Sequence, residues 1–207
     1  NVFVSDPVNN TIRRISPDGV VSTWAGKVGE WGTSDGTGGE ARFSDMRGLA
    51  IDSFDNLYVA DAGDETIRKI TPERIVTTIA GSSNNSGSTD GAGNSARFSG
   101  PRGVALDQSG SIYVADTRNS TLRMIASGGG VTTFAGSAGM SGYVEGAGAA
   151  VRFAFPDDVA VDANGYLYVA DTNNGAIRTT APALITAHPA SQVVAKNESV
   201  SFRVATI

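Results

Sequence analysis

Apolar residues in this chain fall in short runs separated by Gly, Asn, Asp and Ser, and nowhere do they follow the three- and four-residue spacing of an amphipathic helix. Typical runs are Gly103-Val-Ala-Leu-Asp107, Ser111-Ile-Tyr-Val-Ala-Asp116, Thr121-Leu-Arg-Met-Ile125 and Val131-Thr-Thr-Phe-Ala135. All are rich in β-branched or aromatic residues, which predicts strands. The separators Gln108-Ser-Gly110, Thr117-Arg-Asn119 and Ser127-Gly-Gly-Gly130 supply the positive-φ and Asx-turn positions of tight hairpins. Some runs, such as Val159-Ala-Val161 and Leu167-Tyr-Val-Ala170, are apolar at consecutive positions. Strands of that kind bury both faces.

The pattern repeats every 55 residues without insertion or deletion. The step relates Asp6, Asp61, Asp116 and Asp171, and equally Arg13, Arg68, Arg123 and Arg178. It also relates Gly26, Gly81 and Gly136, the pairs Arg42-Phe43, Arg97-Phe98 and Arg152-Phe153, and Asp52, Asp107 and Asp162. Each repeat holds four strands. A four-stranded antiparallel unit that must bury both faces is the blade of a β-propeller, where radial stacking covers every sheet. A β-helix repeats at shorter spacing, and a sandwich does not repeat its loops residue for residue. The expected fold is therefore all-β: a propeller segment of about four blades, the first and last incomplete.

Composition narrows the function. Sixteen Lys and Arg stand against 21 Asp and Glu, for a net charge of −5. There is no basic surplus to neutralise phosphates, so nucleic acid is not an expected partner. The chain has no Cys, which removes thiolate nucleophiles, Cys-bound metals and disulfides and leaves the redox compartment open. No apolar run approaches the roughly 18 residues of a membrane span, so membrane insertion is not expected. Gly, at 26 of 207 residues, is nearly twice its usual share of about 7%, in keeping with many tight turns. Asn1-Val-Phe-Val-Ser5 contains neither an initiator Met nor a charged leader, so the chain reads as a soluble piece of a longer protein.

One set of residues carries a family resemblance. The string Val131-Thr-Thr-Phe-Ala-Gly136, the Gly-rich stretch to Arg152-Phe153, then Pro156-Asp-Asp-Val-Ala-Val-Asp162 and Tyr168-Val-Ala-Asp-Thr-Asn-Asn174 with Ile177-Arg178 resemble NHL-repeat propellers of large secreted bacterial proteins. The resemblance covers residues 1–182, divided as repeats 1–43, 44–98, 99–153 and 154–182. Residues 183–207, with Ile185-Thr-Ala-His-Pro-Ala-Ser-Gln192 and Glu198-Ser-Val-Ser-Phe-Arg-Val204, are similar to a linker and the opening strands of a bacterial immunoglobulin-like domain. The family resemblance implies a six-bladed ring, an extracellular or cell-surface location and further blades outside this sequence. Some NHL propellers are lyases with metal- and His-containing sites, and others bind RNA through a basic face. Here the single histidine, His188, lies after the repeats and the charge is acidic.

Function is expected where connections are long. Those from Gly26 to Arg42, Gly81 to Arg97 and Gly136 to Arg152 carry Asp35-Gly-Thr-Gly38, Asp90-Gly-Ala-Gly93 and Glu145-Gly-Ala-Gly148. The carboxylates of Asp35, Asp90 and Glu145 are candidate ligands for a polar partner or for Ca²⁺. Each loop offers one, whereas Ca²⁺ takes about 6–8 oxygens, so no cofactor is expected and the plainer reading is a carboxylate capping its own turn. The Asp6, Asp61, Asp116, Asp171 series and the Arg13, Arg68, Arg123, Arg178 series recur in every repeat and are read as structural ion pairs or Asx turns. Arg42, Arg97 and Arg152 are read as locks between loop and blade. Binding candidates are the departures from the repeat: Trp31 and Tyr143, and Asp157-Asp158 where other repeats have Arg47-Gly48 and Arg102-Gly103. Trp24, aligned with Ile79 and Phe134, is assigned to the core. The sequence thus points to a non-catalytic extracellular scaffold recognising protein or carbohydrate on its long-loop face. Two alternatives remain: self-association through incomplete blades, or the scaffold of an enzyme whose site lies in other blades.

Overall fold

The computed structural model describes residues 1–181. His188 and the segment read as immunoglobulin-like lie outside the described residues. Within them the chain forms four small antiparallel sheets arranged as propeller blades. Blade 1 contains β1 (Val2–Asp6), β2 (Thr11–Ile15) and β3 (Val21–Gly26). Blade 2 runs outward from β5 (Met46–Ile51) through β6 (Leu57–Asp61) and β7 (Thr66–Ile70) to β8 (Ile75–Gly81), where β4 (Gly36–Thr37) adds a fifth, outermost strand. Blade 3 repeats this with β10 (Pro101–Leu106), β11 (Ile112–Asp116), β12 (Thr121–Ile125), β13 (Gly130–Gly136) and the outer β9 (Gly91–Ala92). Blade 4 contains β14 (Pro156–Val161), β15 (Leu167–Asp171) and β16 (Ala176–Thr179). The innermost strands β5, β10 and β14 lie side by side, with β1 against β5.

The fifth strands differ from the four per repeat expected. Each acidic-Gly-x-Gly motif in the first two long connections is extended and pairs with the outer strand of the next blade, Gly36 with Val76 and Gly91 with Val131. The connections are straps rather than free loops. An outer strand would otherwise leave a row of unpaired N–H and C=O groups, and the strap satisfies part of that row.

Both faces of the central strands are buried, as their unbroken apolar runs require. All five residues of β6 are buried. Leu57 and Val59 pack toward blade 1 with Ile12, Phe43 and Met46, while Tyr58 and Ala60 pack toward blade 3 with Phe98, Val104 and Val114. A third core, of Leu122, Phe153, Val159 and Val169, joins blades 3 and 4. Each blade is thus one wall of two cores, and the repeat is stable only in a stack. Gly103 permits this at the centre: a Cβ there would lie 2.5 Å from the Asp158 Cα. Trp24 packs against the edge of the first of these cores, beside Phe3 at 5.5 Å, as its core assignment expects. It is only half buried, flanked by Arg14 and Arg74 at 5.3 and 5.6 Å, and Phe134 at the matching position is 37% exposed. The outer strand carries this position where radially arranged blades diverge, so Arg side chains complete the cover that the core edge leaves open.

Candidate functional site

The connections alternate between two faces. The long connections meet the turns after β1, β6, β11 and β15, as shown by Gly29 N–H donating to Asn9 O and Gly139 N–H to Asn119 O at 3.3 Å each. On this face two kinds of arrangement occur, one repeated in each blade and one not.

The repeated arrangement is a buried arginine lock. Arg68, from β7, is fully buried and makes four contacts through its two terminal nitrogens. Nη1 donates to Asp61 Oδ2 at 3.2 Å and Arg42 O at 3.1 Å; Nη2 donates to Asp35 Oδ1 at 2.7 Å and Ser34 O at 3.0 Å. The guanidinium lies 5.2 Å from the centre of the Phe43 ring. Arg123 does the same with Asp116, Arg97 O, Asp90, Thr89 O and Phe98. The planar guanidinium fork joins the blade's own Asp, the incoming strap and the ring beneath, which a single ammonium point charge could not do with the same fixed geometry. In blade 4, Arg178 reaches Asp171 at 3.0 Å and Val144 O at 3.0 Å, and its second partner is the face of Tyr143, 4.7 Å away. Glu145 faces the Tyr143 hydroxyl at 3.5 Å. In blade 1, Arg13 stands 3.8 Å from Asp6. Burial pushes Asp61 up to about 7 and Asp116 to about 6, against the pull of Arg68 and Arg123 and of backbone N–H donors.

Asp35 and Asp90 are therefore engaged inside the chain, each bonded to a buried Arg and to the Thr78 or Thr133 hydroxyl of the outer strand. Hydrogen bonds from Thr133 and Arg123 overcome partial burial and hold Asp90 below the usual carboxylate range. Arg42, Arg97 and Arg152 close their own loops, donating through Nη1 to carbonyls of Gly39, Asn94 and Ala149. Trp31 and Tyr143 are 75% and 57% exposed and belong to connections two blades apart.

The non-repeated arrangement is at the centre. A cavity of about 370 Å³ opens among the inner strands, lined by Ser5, Arg47, Gly48, Arg102, Gly103, Asp157 and Asp158 together with Pro7 and Met46. Every blade contributes. Arg47 is paired with Asp45 at 2.8 Å, and Arg102 with Asp157 of the next blade. Asp158 is exposed, its Oδ1 accepting from the Val159 N–H at 2.9 Å. The structure thus gathers Asp157 and Asp158 with Arg47 and Arg102, whereas Asp35, Asp90, Trp31 and Tyr143 lie in the straps outside.

On the opposite face a second cavity, about 460 Å³, is lined by residues including Asp52, Asp107 and Asp162. These carboxylates cap the turns that follow the inner strands: Asp52 accepts from Phe54 N, Asn56 N and the Tyr58 hydroxyl. Burial and that carboxylate push the Tyr58 phenol up to about 12. Sequence reasoning found the Asp series but not its tyrosine partners, which the alternation Asp52/Tyr58, Asp107/Tyr113 and Asp162/Tyr168 encodes six residues on. Among the described residues no group of three or more His, Cys, Asp or Glu is arranged to hold a metal ion. No helix among them is long and apolar enough to cross a membrane.

Known proteins share this repeat. Residues 98–123 and 153–179 match the NHL repeat, and the described residues form four propeller blades. The bovine NHL repeat-containing protein 2 is 31% identical over 134 residues, 60% of this chain and 18% of its own length. An auxiliary nutrient binding protein from Bacteroides thetaiotaomicron is similar in fold, with a TM-score of 0.68 and 18% identity over 86% of this chain and 44% of its own. Virginiamycin B lyase from Staphylococcus aureus is also similar, with a TM-score of 0.55 and 14% identity over 88% of this chain and 52% of its own. The chain spans about half the length of those two structures and under a fifth of the bovine relative. The fold accordingly occurs in both binding proteins and enzymes.

Proposed function

We propose that this chain is a non-catalytic binding scaffold, extracellular or on the cell surface, whose long-loop face receives a protein or carbohydrate ligand at the central mouth. One observation carries the reading: the 55-residue repeat breaks where the inner strands converge. Arg47-Gly48 and Arg102-Gly103 give way to Asp157-Asp158, and all six residues line one cavity. Residues needed to hold blades together recur in each of them; residues that differ at one shared opening answer to what enters it. Arg and Asp there present fixed donors and acceptors, the groups that sugar hydroxyls and peptide amides both need. Trp31 and Tyr143 offer exposed rings farther out on the same face. The nutrient binding protein of similar fold supports a binding role.

Affinity electrophoresis against neutral and acidic polysaccharides, with biolayer binding to immobilised extracellular matrix proteins, tests this. A retained probe whose affinity falls at least about tenfold in the Asp157→Ala/Asp158→Ala variant supports the mouth, about 1.4 kcal/mol in binding terms. Failure of every probe, or turnover of a probe at a rate that depends on these residues, contradicts it. A second reading, self-association, is favoured by Val2, Val8 and Val20 of blade 1, exposed at 60%, 88% and 59%. Sedimentation that shifts with concentration supports it.

A further inference from the structure

Three departures from the 55-residue step lie together on the long-loop face of blade 1. Val8 stands where the other blades have Gly63, Arg118 and Asn173; Val28 where the next two connections have Ser83 and Ala138; and Trp31 where they have Ser86 and Ser141. The three side chains are 88%, 59% and 75% exposed. Their backbone is nonetheless fixed. Gly29 N–H donates to Asn9 O at 3.3 Å, Gly32 N–H donates to Phe43 O at 3.1 Å, and the Glu30 carboxylate is held between Lys27 at 2.5 Å and Arg42 at 2.7 Å. The other blades fold with small or polar residues at these positions, so the blade itself does not require the apolar ones. A rigid apolar patch with a charged rim is the make-up of a surface that docks a partner.

The patch runs into the central mouth. Pro7, which lines the mouth, precedes Val8, and the Asn9 carbonyl holds Gly29 beside Val28. Inside the mouth the charges do not cancel. Arg47 is matched by Asp45 and Arg102 by Asp157, whereas Asp158 has no Lys or Arg at ion-pair distance among the described residues. Asp158 occupies the position of Gly48 and Gly103 and is open to solvent. One carboxylate is thus left for one cation.

We infer that mouth and patch together receive an extended peptide segment of a partner protein: a single Lys or Arg side chain enters the mouth against Asp158, and apolar side chains near it in that segment cover Val8, Val28 and Trp31. The inference rests on the mouth being the binding site, and it narrows the ligand to a protein. Two features favour a peptide over a polysaccharide. Valine side chains give sugar hydroxyls nothing to bond, but they bury aliphatic side chains well. A cationic polysaccharide brings a row of charges, and the mouth has one carboxylate to answer them. At a partly solvated opening the ion pair sets specificity and the rate of arrival, while Trp31 and the valines supply most of the affinity.

Fluorescence anisotropy with blocked, labelled octapeptides tests this. One peptide carries a single Lys beside three Leu, a second has Gln in place of the Lys, and a third has Ser in place of each Leu; glucosamine and glucose oligomers form the carbohydrate arm. The Lys–Leu peptide is expected to bind about threefold tighter than its Gln form, as a half-solvated ion pair allows, and at least about tenfold tighter than its Ser form. Asp158→Asn removes the preference for Lys and leaves the Gln peptide's affinity unchanged. Trp31→Ser, which copies the residue of the next two connections, weakens the Lys and Gln peptides alike. Equal affinity for Lys and Gln peptides, or a preference for Lys that survives Asp158→Asn, overturns the inference with the mouth still standing. So does binding of either oligosaccharide in preference to every peptide, lost in Asp157→Ala/Asp158→Ala. Failure of every peptide and oligosaccharide to bind overturns the mouth as well.

Discussion

The arginine locks and the central mouth are built from the same charged residues on the same face, yet they obey different rules. Arg68 and Arg123 are fully buried, each bonded to two carboxylates and two carbonyls, and each recurs with its partners at a 55-residue step. Arg47 and Arg102 are partly exposed and paired with one carboxylate each, and their counterpart in blade 4 is Asp157. In the lock, identity is kept because Arg68, Arg123 and Arg178 each grip the strap entering their own blade. At the mouth the inner strands meet only one another and the opening, and identity is not kept. On the function proposed, periodic charge marks assembly and aperiodic charge marks recognition.

The largest effect comes from breaking a lock. Arg123→Met at pH 8 leaves Asp116 charged and buried, and the carbonyls of Arg97 and Thr89 without their donor. It is expected to cost about 3–5 kcal/mol, seen as a lowered midpoint in urea unfolding. If the loss is under about 1 kcal/mol, the lock is not what holds the strap.

A change of pH acts next, on the locks of blades 2 and 3. Asp61 and Asp116 titrate near 7 and 6 in the fold, above the roughly 3.9 of an unfolded Asp. Between about pH 4 and pH 7 the folded chain retains protons that the unfolded chain has lost, so stability falls as pH rises through that window. The melting temperature is expected to drop by several degrees from about pH 5 to about pH 8. A flat or rising curve contradicts the burial argument.

A smaller contrast separates the straps. Asp90→Asn weakens the bond to Arg123 at a half-exposed carboxylate, for about 1 kcal/mol, whereas Glu145→Gln, which touches only the Tyr143 hydroxyl, is expected within about 0.5 kcal/mol of zero. Equal losses in the two variants remove the distinction between blade 3 and blade 4.

The blades were legible in the sequence because strand period, turn residues and the 55-residue step all point to one answer. The Asp/Arg series was legible as a pair for the same reason. The strap was not: Asp35-Gly-Thr-Gly38 reads as a turn, and only the stacked fold shows it pairing with β8 and meeting Arg68, 33 residues further along the chain. The burial of Arg68 was hidden likewise, since arginine is almost never fully buried unless paired. The mouth was half legible. Asp157-Asp158 stood out as a break in the repeat, but nothing local says that Arg47, Arg102 and Ser5 share its cavity, because strands that lie a whole repeat apart in the chain meet only when the blades close around an axis.

That the mouth recognises while the locks hold is tested most directly by measuring unfolding and probe binding on the same Asp157→Ala/Asp158→Ala protein. Stability is expected within about 0.5 kcal/mol of the unsubstituted chain, with affinity reduced at least about tenfold. Unchanged affinity, or a loss of stability as large as that of Arg123→Met, would contradict this division of roles.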